Sequence, residues 1–149
     1  MLTKQKIEED LKDAMLARDE VRKRTLRMVL TSVKFAEVER RGQLDEPTLL
    51  SLILKEVKSR KESIEEAERA KRDDLISALN AEIDVLQAYL PQPLTHAELK
   101  ELAQAAIEEV DASGPSDMGK VMKSIMPHVQ GRADGKVVSE LVRNLLSEI

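Results

Sequence analysis

The chain has no cysteine and no tryptophan, and one phenylalanine and one tyrosine among 149 residues. The missing cysteines exclude disulfides, thiolate nucleophiles and cysteine-ligated zinc. The missing aromatics leave an interior of Leu, Ile, Val, Ala and Met, and no ring series on which successive bases stack. No uncharged run approaches the ~18 apolar residues of a membrane span. The opening M-L-T-K-Q-K-I-E-E-D lacks the apolar stretch of a secretory signal. These absences lead to the expectation of a soluble, cytoplasmic protein with no membrane partner. With five glycines and five prolines, helix breakers are few and therefore informative.

What is present is charge at 35% and apolar residues at 42%, the balance of long amphipathic helices with solvated outer faces. The net charge of -4 speaks against a generic polyanion binder. It leaves room for a local basic patch, since local charge makes phosphate contacts.

Periodicity and capping residues predict an all-α fold of seven helices. The first opens at Thr3 with Ile7, Leu11, Ala14 and Met15 on one stripe, and a break with Asp19 as N-cap follows. The second runs through Leu26, Val29 and Val33 and is expected to stop at Gly42. Pro47 suits the first turn of the third, whose stripe is Leu49, Ile53, Val57, Ile64 and Ala67. The fourth begins near Asp73. Y-L-P-Q-P-L-T at 89–95 stops it, because two prolines two apart favour extended chain. The expected organisation is an N-terminal four-helix subdomain, 1–90, and a C-terminal three-helix module, 91–149. In the second part, Thr95 and Glu98 form a capping box. Ser116 is expected to cap a sixth helix from Asp117 to about Met126, closed by Pro127. Val129 to Ala133 reads as loop, and Asp134 as the cap of the last helix.

No pattern marks a self-contained catalytic centre. His96 and His128 lack metal-ligand spacing, adjacent carboxylates on a helix diverge, and no phosphate loop or nucleophile elbow occurs. Catalytic residues, metal and cofactor are all expected to be none. Two helices are more informative. In the second, Lys23, Arg27, Lys34 and Arg41 fall in one stripe beside the apolar face, readable as a phosphate ridge or as a solvated flank pairing with acidic neighbours. In the third, Glu56 and Arg60 lie within or at the edge of the apolar stripe, and Arg22 and Arg40 lie similarly on the second. Charges there are costly unless paired. They form an interhelical ion-pair network, the preferred reading, or a polar surface that a partner covers. The candidate partner surface is thus Lys23, Arg27, Lys34, Glu56 and Arg60.

Y-L-P at 89–91, followed by D-M-G-K-V-M-K-S-I-M-P-H-V-Q-G-R-A-D-G-K at 117–136, resembles the signature of the YqeY-like family. L-K-E-V-K-S-R-K-E-S-I at 54–64 resembles that family's third helix. The C-terminal part, about 94–149, is similar to the tail domain of the B subunit of tRNA-dependent amidotransferases. The resemblance implies a helical subdomain joined to a module associated with reaching tRNA, while the amidotransferase's chemistry resides in domains too large for this chain. It implies a non-catalytic accessory protein contacting tRNA or a tRNA-amidating or aminoacylating enzyme. One alternative is a protein-interaction adaptor with no RNA role. The weakest is carbon-nitrogen ligase activity with glutamine as amido-N-donor.

In the motif, Met118, Val121, Met122, Ile125 and Met126 form one helical face, best read as core. Gly119 is expected to let another helix approach, Gly131 to adopt positive φ, and Gly135 to leave the Asp134 cap uncrowded. Lys120, Lys123, Arg132, Lys136 and Arg143 are the candidate phosphate contacts.

Overall fold

The computed structural model describes all residues, 1–149. Its regular structure is helical throughout: α1 (Lys4–Leu16), α2 (Glu20–Arg40), α3 (Glu46–Arg69), α4 (Asp73–Gln87), α5 (His96–Glu109), α6 (Met118–Val129) and α7 (Gly135–Ser147), with a 3-10 turn at Pro115–Asp117. No helix is long and apolar enough to cross a membrane.

Side-chain caps start most helices, each accepting a backbone N–H that has no partner inside the helix. Thr3, Asp19, Asp45 and Asp134 accept from Lys6, Arg22, Thr48 and Lys136. At α5 the box is reciprocal: Thr95 Oγ accepts from the Glu98 amide and the Glu98 carboxylate from the Thr95 amide.

Three local expectations are corrected. Gly42 does not end α2 in the left-handed conformation; Arg41 does, at φ 60°. The Gly42 amide donates to Glu37 O at 3.1 Å, so glycine sits one residue beyond the strained position. Ser116 does not cap α6, because it lies in the 3-10 turn. Asp117 also makes no cap bond there, its carboxylate accepting instead from the Ser113 amide and hydroxyl at 2.9 and 3.2 Å. Finally, Pro127 lies inside α6. A proline removes one backbone donor and crowds the preceding turn, and α6 lasts only two residues beyond it. Those residues bring Val129, expected in a loop, into the core at 1% exposure.

The chain divides into two compact units, Met1–Leu90 and Pro91–Ile149. In the first, α1 packs on α2, α3 on α4, and α2 also meets α3 and α4. Ile7, Leu26, Val29, Val33, Leu49, Ile53, Val57, Ile83 and Leu86 form its core. In the second, α5, α6 and α7 pack pairwise around Leu99, Ala103, Ala106, Val121, Ile125, Val129, Val138, Val142 and Leu146. Each fully buried aliphatic side chain contributes about 1.5–3 kcal/mol relative to exposure. Met118, Met122 and Met126 pack at the margin of this core, half-buried beside Val121 and Ile125.

Candidate functional site

Arg60 is 5% exposed, on the apolar side of α3. Its guanidinium donates through Nη1 to Glu56 at 2.8 Å and through Nε to Glu82 of α4 at 3.1 Å. Arg24 of α2 reaches the other Glu82 oxygen at 3.3 Å. The Ser32 hydroxyl donates to Glu56 at 3.1 Å. Three helices are thereby tied through one buried network, and every buried side-chain polar atom of the chain has a partner. The anomaly visible in the sequence is an interhelical ion-pair network. Arg60 therefore leaves the candidate partner surface, since burial removes it from any partner's reach. Glu82, its other partner, was not singled out: on the α4 stripe a lone glutamate gives no spacing signal until α3 lies beside it.

A second buried carboxylate carries no mark in the sequence. Asp10, 5% exposed, accepts from the Tyr89 hydroxyl at 2.5 Å and pairs with Lys6 at 3.1 Å. Arg22 stands 3.9 Å away. Burial by itself raises the carboxyl's affinity for protons. The bonds from Tyr89 and Lys6 and the two cations outweigh it, holding Asp10 below the usual carboxylate range. Burial, then the bond to Asp10 and its negative charge, push the Tyr89 phenol well above its ordinary value. The chain's one tyrosine thus fastens the end of α4 to α1, a role invisible when the two are 79 residues apart.

The other residues of the first candidate set are peripheral. Lys23 pairs with Glu20 at 3.0 Å, and the Arg27 guanidinium approaches the Met15 sulfur at 3.9 Å. Lys34 is exposed. Arg22 turns to Asp10, while Arg40, exposed and off the core, bonds Asp45 at 3.4 Å.

The C-terminal candidates separate into two pairs and one residue apart. Lys120 and Lys123 project from α6 opposite its buried face, and Lys136 and Arg143, seven apart, share the outer side of α7; all four are exposed. Lys120 alone has an ionic neighbour, Asp117 at 3.9 Å. No acidic residue lies on α6 and only Glu140 on α7, whereas α5 carries Glu98, Glu101, Glu108 and Glu109. Arg132 has a structural job: its Nε donates to Gln92 O at 2.9 Å, and its own carbonyl accepts from the Leu94 amide at 3.0 Å. It pins the proline segment, a contact 40 residues apart that spacing cannot reveal.

Among the motif glycines, Gly131 has φ 77°, where a side chain would be strained. Gly119 does not serve close approach: a Cβ there meets nothing within 4 Å, and the same holds at Gly135. No group of three or more His, Asp or Glu side chains is placed to hold a metal.

A model of the family described as Yqey-like protein matches residues 4–146. The chain is similar to three proteins each named "Altered inheritance of mitochondria protein 41, mitochondrial". That of Pyrenophora tritici-repentis is 33% identical over 144 residues, 95% of this chain and 79% of its own length. That of Lachancea thermotolerans is 37% identical over 113 residues, 74% of this chain and 60% of its own. That of Saccharomyces cerevisiae strain S288c is 37% identical over 91 residues, 60% of this chain and 49% of its own. The match thus spans about four-fifths of one relative's length and from a half to three-fifths of the others'. Their names overturn the expectation of a cytoplasmic location and point to mitochondria. That expectation rested on missing apolar runs, which test for secretion and membrane spans, whereas mitochondrial targeting segments are amphipathic. With the matched model covering nearly the whole chain, the protein belongs to the YqeY-like family.

Proposed function

We propose that this protein is a non-catalytic accessory factor whose C-terminal unit holds structured RNA, tRNA in the first instance, by its phosphates. The observation that carries the reading is the segregation of charge in that unit. Lys120, Lys123, Lys136 and Arg143 stand exposed on α6 and α7, which hold one acidic residue between them, Glu140. Exposed ammonium and guanidinium groups, of which only Lys120 has a carboxylate neighbour, Asp117 at 3.9 Å, suit backbone phosphates, which position RNA without reading its sequence. Arg132 is left out of the contact set because it is committed to Gln92. The buried charged groups, Asp10, Arg60 and Glu82, are engaged with one another or with neighbours, so they support architecture rather than turnover.

The test is binding of the full chain to tRNA across a salt series. Four phosphate contacts give a log–log slope on the order of -3. Lys123→Glu with Arg143→Glu should flatten that slope and weaken binding at low salt. A slope near zero, or one unmoved by the double reversal, removes the reading.

A further inference from the structure

We infer that the outward face of α2 is a docking seam for an acidic amphipathic helix of a partner protein. α2 is apolar on two sides. Leu26, Val29 and Val33 are fully buried in the first core. A second row, Met28, Thr31, Phe35 and Val38, has the three-four-three spacing of a and d positions in a heptad; the Met28 sulfur accepts from Arg60 at 3.7 Å and the Thr31 hydroxyl donates to Arg27 O, so the open centre of the row is Phe35 and Val38. Met28 is 47% exposed, and Phe35 and Val38 are each 69% exposed. Phe35 is the only phenylalanine of the chain. Scattered apolar residues on a surface need no explanation, but a row at helix-pairing spacing does. At the previous d position Arg24 turns to Glu82, which ends the row.

The flanks of this row differ, and the difference selects the occupant. One flank carries the g positions Arg27, Lys34 and Arg41, all basic, all exposed and none in an ion pair. The other carries Ser32 and Glu39, and Ser32 is bonded to the Glu56 carboxylate that Arg60 also holds. The cationic side is unmatched within the chain, while the opposite side is already neutral or acidic. A helix with apolar a and d residues and glutamates along one edge complements both features. A second copy fits poorly: antiparallel pairing sets the basic row against itself, and parallel pairing offers only Lys34 to Glu39, repeated by symmetry, with Arg27 left facing Ser32. A lipid surface calls for cations on both margins of the apolar row. Single-stranded RNA calls for more than one stacking ring.

The probe is a fluorescent three-heptad peptide with leucine at a and d and glutamate at e and g, whose own repulsion prevents self-pairing. A second peptide carries lysine at e and g. Anisotropy with the full chain should show the glutamate peptide binding, with the lysine peptide about tenfold weaker or more. Arg27→Glu with Lys34→Glu should invert that preference. Phe35→Ser should abolish binding while circular dichroism stays unchanged, as the side chain is largely exposed. Failure to bind the glutamate peptide, or binding indifferent to both sets of substitutions, overturns the inference. So does concentration-dependent dimerisation, or binding to anionic vesicles or poly(U), that Phe35→Ser removes.

Discussion

Arg60 occupies a position where its helix would otherwise carry leucine, and its consequences are set by what surrounds it. With its side chain 6% exposed and two carboxylates on it at 2.8 and 3.1 Å, removal leaves Glu56 without a cation and Glu82, in a poorly solvated place, with only the half-exposed Arg24. Arg60→Ala should lower unfolding stability by about 3–5 kcal/mol, read from urea midpoints at unchanged slope. A loss under about 1 kcal/mol, the value of an exposed pair, would show that water reaches the network. Asp10 makes a different prediction because its effect depends on pH. Its folded-state pKa lies below the ordinary carboxylate value, so its contribution is complete above that ordinary value of about 3.9. The contribution disappears as pH falls through the folded value. The stability gap between wild type and Asp10→Asn should hold steady near neutrality and close on acidification below about pH 4. Tyr89→Phe, which removes the bond from the phenol, should raise the folded pKa of Asp10 and move the acid limb of the curve to higher pH. Curves that stay parallel down to acid would assign Asp10 no special role.

At the scale of the helix, one device recurs. α1, α2, α3 and α5 are each followed by a non-glycine residue at positive φ: Arg18, Arg41, Lys71 and Asp111 at 57°, 60°, 54° and 53°. In each case the next amide reaches back to a carbonyl five residues earlier, as in Asp19 to Ala14, Gly42 to Glu37, Arg72 to Ala67 and Ala112 to Ile107. This is the paired hydrogen-bond closure at helix ends in which glycine usually takes the left-handed place. An L-residue there costs about 1 kcal/mol, so Arg18→Gly and Lys71→Gly should each raise stability by about 0.5–1 kcal/mol. Gly131→Ala, at φ 77°, should lower it by a similar amount. Thermal midpoints of the three variants decide the matter, and a stabilised Gly131→Ala would refute the account. The same device explains the limits of reading the sequence. The starts of α1, α2, α3, α5 and α7 are legible because Thr, Asp and the Thr95–Glu98 box mark them chemically, whereas α4 and α6 start without a side-chain cap. Several ends are not legible, because they fall on arginine, lysine or aspartate, which carry no such mark. The candidate site divides likewise. Lys123 and Arg143 are legible from composition and period, while Arg132 on Gln92, Tyr89 on Asp10 and Glu82 on Arg60 depend on contacts between segments distant in sequence. The second row of α2 gives no separate signal in the sequence, because its first row, Leu26, Val29 and Val33, already satisfies the need for a core face.

Across the whole molecule, two cores hold most of the buried apolar side chains, one in each unit, and the buried residues of each are aliphatic. Neither group of core residues draws a member from the other unit. The proline segment between them is fastened within the second unit, through Arg132 to Gln92 and Leu94 to Arg132. The second unit is at the small end of what folds without disulfides or metal, since about sixty residues bury only about 60% of their unfolded surface. It compensates with reciprocal capping at α5 and with nine buried core residues on three helices. Fragments cut after Leu90 should therefore both fold cooperatively. The segment from Met1 should retain the Arg60 network, and that from Pro91 should be the more marginal of the two. Circular dichroism with urea titration of the separate fragments measures this directly. Arg60→Ala should shift the midpoint of the first fragment as it does that of the intact protein, and Arg132→Ala, which frees the proline segment, should lower the unfolding free energy of the second by about 1 kcal/mol. A second fragment without helical signal would mean that its nine-residue core is too small to stand alone, and that its stability is drawn from the rest of the chain.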